Sequence, residues 1–201
     1  MLIRLGWRWD ECGSKITLSG EGLVATRDES GYQLVGESGY QLVTGGSPMT
    51  EGRHYWEVEL TRAGYGGVIF VGAARPGLDH DKGEHDGTSE AYYIDGGSGS
   101  LYGNGKLGTD AQGHFAHGEG SRDRIGVLLD LDAGWMRLYR NGKRCGPGFT
   151  EGVTGPLVRA AQLYRKGGKL TVLPGAAPPA GAGEEGTCTC RWHDSAGDYE
   201  V

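Results

Sequence analysis

The densest set of ligand-type side chains is Asp79-His80-Asp81-Lys82-Gly83-Glu84-His85-Asp86. Counted as a calcium loop from Asp79, it reaches Glu90 at the twelfth position, but Glu84 stands where the sharp turn needs glycine. The run reads as a solvated acidic loop, and no metal or other cofactor is expected. Glu57 and Glu59 share one strand face, like the paired carboxylates that glycoside hydrolysis requires. The third acid of the usual jelly-roll hydrolase pattern is missing, because Ala63 and Gly64 follow Thr61-Arg62. A solvated outer face is the better reading of the pair. No Gly-x-Ser-x-Gly elbow offers a hydrolase nucleophile. Gly103-Asn104-Gly105-Lys106-Leu107-Gly108 spells a dinucleotide fingerprint, yet no helix pattern follows to aim its N-terminus at a phosphate. No catalytic residue is expected, and the chain is read as a non-enzyme.

The elements that must position any site are strands. The two asparagines, Asn104 and Asn141, both stand before Gly-Lys, and each follows a Leu-Tyr pair by one residue. Asn-Gly between apolar stretches is the strongest short-range hairpin signal, since both central residues of a type I′ turn take positive φ. Forty glycines and a hydrophobic content of 37% suit many tight turns around a two-layer core. Residues 9–27 read as two short strands about a turn. His54-Tyr55-Trp56-Glu57-Val58-Glu59-Leu60 alternates as a half-buried strand, and Val68–Ala74 is apolar throughout, as a central strand is. Residues 75–90 read as a polar loop. Ile125, Val127, Leu129 and Leu131 line one face of a strand that pairs with residues 135–139. Residues 156–161 and 169–173 complete the sheets. Trp56 and Phe70 are expected to anchor the core between them. Glu29–Gly36 recurs as Glu37–Thr44 with seven of eight positions identical, and reads as a duplication that lengthens a loop or hairpin. The fold class is all-β, an antiparallel sandwich with no major helices. Residues 1–8 lead in, 9–174 form the domain, and 175–201 are a Gly/Ala/Pro linker and tail.

A net charge of −6 argues against nucleic-acid and anionic-membrane ligands. No apolar run of about 18 residues is present. Cys12, Cys145, Cys188 and Cys190 form neither a dense disulfide framework nor a paired zinc arrangement. An intracellular setting is expected, the cytoplasm first and the nucleus second. The last four residues, Asp198–Val201, carry the alternation of a PDZ ligand, a short pattern that often arises by chance.

A set of motifs runs in order along about 165 residues. They are Trp9-Asp10 with Ile16-Thr17-Leu18-Ser19, then Thr50-Glu51-Gly52-Arg53-His54-Tyr55-Trp56-Glu57-Val58-Glu59, Val71-Gly72-Ala73-Ala74 and Arg122–Asp132. Asn141-Gly142-Lys143, Gly148-Phe149-Thr150 and Pro156-Leu157-Val158 follow. Within this set Gly126 marks a place where a neighbour leaves no room for a side chain. In this ordered set the chain resembles the SPRY domain family, and the resemblance implies a bent, concanavalin-like jelly-roll sandwich whose loops at one end bind protein. It places Arg27 at the family's peptide-gripping arginine, and Gln162, Leu163, Tyr164 and Arg165 in the later binding loop, with Tyr164 or Leu163 for the family's tryptophan. His80 lies near the family's loop tyrosine, which has no aromatic match here. Tyr32 and Tyr40 of the duplicated segment are further aromatic anchors at that end. The expected function is a monomeric adaptor or substrate-receptor module binding a short peptide of a protein partner. The alternative is a lectin-like sandwich stacking sugars on Tyr92, Tyr93 or Trp135.

Overall fold

The structure is a computed structural model that describes residues 6–28, 39–61, 69–82, 88–96, 99–109, 122–164 and 166–182. Among the described residues the chain is built of strands and turns, without helix. The first sheet contains β1 (Trp9–Cys12), β4 (Gln41–Met49), β6 (Ile69–Ala74), β7 (Ala91–Asp95), β8 (Leu101–Gly103), β9 (Lys106–Thr109) and β13 (Leu157–Leu163). The second contains β2 (Ile16–Ser19), β3 (Val24–Arg27), β5 (Arg53–Thr61), β10 (Arg122–Asp130), β11 (Trp135–Arg140), β12 (Lys143–Phe149) and β14 (Lys169–Val172). The spatial orders are β1-β4-β13-β6-β7-β8-β9 and β12-β11-β10-β5-β14-β3-β2, with antiparallel neighbours throughout.

Both Asn-Gly pairs form the expected turns. Asn104 and Gly105 take φ of 49° and 79°, and Asn141 and Gly142 take 50° and 78°. Asn141 does more than turn: its Oδ1 accepts the Arg124 amide at 2.9 Å and its Nδ2 donates to Asp123 at 2.9 Å. The hairpin is thereby tied to the neighbouring strand β10.

The core follows from period-two alternation on facing strands. Trp56, Val58 and Leu60 of β5 and Ile125, Val127 and Leu129 of β10 meet Val43, Val71, Ala161 and Leu163 of the opposite sheet. Tyr92 packs edge-on to Phe149 with centroids 5.4 Å apart, and its hydroxyl donates to the Gly152 carbonyl at 3.0 Å. Gly126 is held to glycine by space: a Cβ there would lie 2.4 Å from the Tyr55 hydroxyl.

Three expectations need correction. Residues 9–27 form three strands, and β1 joins the opposite sheet from β2 and β3, because the backbone crosses layers at Gly13–Lys15. The second copy of the duplicated segment is not a longer loop. Its Gln41–Thr44 begins β4, an interior strand whose alternate side chains are covered on both faces; the first copy lies outside the described residues. Phe70 points away from the inter-sheet core, into a separate cluster with Leu42, Ala74, Ala91, Tyr93 and Ala160.

Candidate functional site

That separate cluster covers the outer face of the first sheet. Leu42, Gln162 and Phe70 are direct cross-strand neighbours on β4, β13 and β6, so their side chains stand in one row. Tyr40 spans the row, with its ring 5.3 Å from Phe70 and 4.6 Å from Tyr164. Phe70 in turn meets Tyr102 at 4.8 Å and Tyr93 at 6.1 Å. Tyr40, Tyr102 and Leu78 are only partly covered, which leaves an aromatic rim around a sealed floor.

Gln162 lies in that floor. It is 1% exposed, and among the described residues neither its amide nitrogen nor its amide oxygen has a hydrogen-bond partner. A buried amide left unpaired is costly, on the order of 1–3 kcal/mol for each group, so a partner for it is expected. His80 sits at the edge of the same face. Its carbonyl accepts the Leu42 amide at 2.9 Å, and its Nε2 lies 2.8 Å from the Thr44 hydroxyl. These contacts fix the loop after β6 against β4.

The structure separates the predicted residues. Tyr40, His80, Gln162 and Tyr164 come together on one face and one end. Leu163 does not: it is fully buried between the sheets, since its neighbours Gln162 and Tyr164 take the outward positions. Arg27 is also covered, at 6% exposure, because it shares the inward parity of Ala25. Its backbone clasps the chain before β14, donating to Gly168 at 2.9 Å and accepting from Gly167 at 3.1 Å. Burial lowers its basicity, while Asp28 and Asp81 oppose the shift, and Nη1 is sealed without a partner. Tyr32 and Arg165 lie outside the described residues. Phe70, Tyr93 and Tyr102 were missed as members of this face. The available signal was the wholly apolar run 68–74, which marks a strand covered on both sides.

Other candidates resolve differently. Tyr92 and Tyr93 are buried, and Trp135 is covered by the guanidinium groups of Arg137 and Arg53 at 4.3 and 5.6 Å, so none offers an open stacking platform. Glu57 is not on a solvated face. It is 8% exposed, accepts the Tyr55 hydroxyl, and lies 4.0 Å from Arg124, while Glu59 lies 3.9 Å from Arg122. Burial first, and the Glu57 carboxylate second, push the Tyr55 hydroxyl well above its ordinary range. From the acidic run, Asp81 accepts the amide and hydroxyl of Ser14 at 2.7 and 2.8 Å, tying the loop to the turn after β1. Glu84, His85 and Asp86 lie outside the described residues.

Residues 53–176 match the family model of the SPRY domain. The chain belongs to the SPRY domain family. This SPRY domain is 30% identical over 147 residues to SPRY domain-containing SOCS box protein 3 of Xenopus laevis. The match covers 72% of the chain and 39% of that protein. The protein of the same name from Xenopus tropicalis is 30% identical over 146 residues, with 72% and 39% covered. The chain therefore spans about two fifths of the length of these curated relatives. Among solved structures, the human HERC1 SPRY domain superposes with a TM-score of 0.66 at 20% identity, over 84% of this chain and 99% of that one. The TRIM65 PSpry domain gives 0.63 at 16% identity, over 84% and 90%. The fold is thus the SPRY sandwich, a protein-interaction module, and among the described residues no helix is long and apolar enough to cross a membrane.

Proposed function

We propose that this SPRY domain is a non-enzymatic receptor for a short peptide segment of a protein partner, bound on the outer face of the first sheet. The supporting observation is the buried Gln162 amide, unpaired on both atoms among the described residues and set in one cross-strand row with Phe70, whose ring Tyr40 joins to that of Tyr164. A peptide group carries one donor and one acceptor, the complement of that side chain. A bound backbone reaching this amide would satisfy both atoms while the tyrosines close around its side chains. Tyrosine suits this role because it presents a large rigid surface with a polar end.

The relatives' name joins a SPRY domain to a SOCS box. By that likeness the module serves as an adaptor or substrate receptor, of the kind that feeds ubiquitin ligases, in the cytoplasm or nucleus. It acts as a monomer, with no nucleic-acid or membrane ligand. Selection of displayed peptides on the purified chain tests the reading. Enriched peptides should bind at least about tenfold more weakly to Tyr164→Ala and to Gln162→Leu, with melting temperatures held or raised. Equal binding by both variants, or hits on a glycan array with none among peptides, would overturn it.

A further inference from the structure

At the other end of the sandwich, Arg159 of β13 points inward. It has the parity of Ala161 and Leu163, which lie in the inter-sheet core, and its cross-strand partners are Gly45 and Ala73. Its guanidinium carbon lies 5.4 Å from the Trp7 ring and 5.5 Å from the Trp56 ring. Both distances fall within cation–π range. Ring faces attract the charge but accept none of the N–H bonds that radiate in the guanidinium plane. The Nε–H is sealed from solvent and has no partner. Nη1 lies so close to Gly46 that a Cβ there would approach it to 2.6 Å. Among the described residues no carboxylate lies within salt-bridge reach of the group. Burial alone lowers its basicity, with no acidic neighbour opposing.

This guanidinium lines a cleft of about 510 Å³ that also takes in Trp7, Arg8, Asp10, Gly46 and His54. Asp10 is already committed, accepting the Gly46 amide at 2.8 Å and the Arg8 Nε at 3.3 Å. The His54 Nε2 is engaged with the Glu51 carbonyl at 2.8 Å. Two arginines against one aspartate leave the cleft one positive charge in excess. Isolated surface arginines need no explanation. A partly buried one, within cation–π range of two indoles and with its sealed Nε–H unpaired, is arranged as a receptor for a planar or tetrahedral anion.

We propose that the Arg159 cleft binds a single oxyanion group, a carboxylate or a phosphate, in the guanidinium plane between Trp7 and Trp56. The site is independent of the peptide face, which lies at the far end of β4 and β13. Its test is a ¹H–¹⁵N titration of the whole chain at pH 7 with sodium acetate and, separately, sodium phosphate, against sodium chloride at matched ionic strength. One or both should give saturable shifts of the Arg159 Nε–H and the Trp7 and Trp56 indole N–H signals, and the one that saturates identifies the anion's source. Charge-assisted hydrogen bonds of this kind imply roughly tenfold to hundredfold weaker binding in Arg159→Gln. Arg8→Gln, on an exposed side chain that leaves the fold intact, should weaken binding severalfold. Shifts no different from chloride with both anions would overturn the proposal, as would saturation unchanged in both variants.

Discussion

Arg27 and Arg159 both point between the sheets, from opposite layers and opposite ends of the sandwich. Arg27 stands where β3 meets Gly168, just before β14 begins. Arg159 stands over Trp56, two residues before the Val58 that pairs with the last residue of β14. The Arg27 end is crowded with compensation: Asp28 and Asp81 act on the guanidinium, and main-chain bonds to Gly167 and Gly168 hold its strand. The Arg159 end has indole faces and, among the described residues, no carboxylate partner. A buried arginine with acidic neighbours and a clasped backbone serves the frame. One with aromatic walls, an adjoining cleft and an unpaired Nε–H is poised to receive something. The same side chain in the same fold thus has two roles, set by what surrounds its plane.

The largest effect should come from the residue that belongs to both the core and the Arg159 clamp. Trp56→Ala should lower unfolding free energy by about 3–5 kcal/mol in urea denaturation, since it is 1% exposed and its loss leaves a large cavity. A loss under about 1 kcal/mol would place the core elsewhere.

Truncating the two arginines then separates the ends directly. Arg27→Ala should cost about 1–3 kcal/mol, through lost packing of a buried stem and the bared carboxylates beside it. Arg159→Met should raise stability by up to about 1 kcal/mol, because a buried charge without an ion-pair partner gives way to a well-packed apolar chain against the same rings. Equal losses in the two variants would erase the distinction between frame and receptor.

These outcomes also bear on what the chain shows before it folds. The hairpins at Asn104 and Asn141 were legible because positive φ is written in residue type, and the inward face of β10 because Ile125, Val127 and Leu129 alternate with period two. The resemblance of ordered motifs was legible for the same reason: each block has a local requirement, such as the space that denies Gly126 a side chain. Alternation does not say which layer covers which face. Phe70 was therefore assigned to the wrong side, and Glu57, acidic in a strand, was read as solvated although Tyr55 and Arg124 enclose it. The burial of Arg27 and the clamp on Arg159 depend on contacts between segments more than 100 residues apart, which no local pattern records.

The smallest effect concerns pH and is confined to one end. Two hydrogen bonds from Ser14 hold the Asp81 carboxyl below its ordinary range; burial opposes them, and Gln41 and Lys15 add smaller downward effects. The folded state therefore binds this proton less readily than the unfolded chain does. Its contribution to stability is complete above the unfolded carboxyl value of about 4 and is lost as pH falls through the lower folded value. Because the side chain is exposed, the loss should be local: protection of the Ser14 amide from hydrogen exchange should fall on acidification from pH 5 to about 3, once intrinsic exchange is divided out. Asp81→Asn keeps an acceptor but removes the titrating group, so that variant should show weaker protection at pH 5 and little further change. The Gly126 amide, in the middle of the second sheet, should keep its protection across the same range in both proteins. Parallel loss at Ser14 and Gly126 would mean that acid loosens the whole sandwich, and the contrast between a carboxylate-braced end and the rest of the frame would not hold.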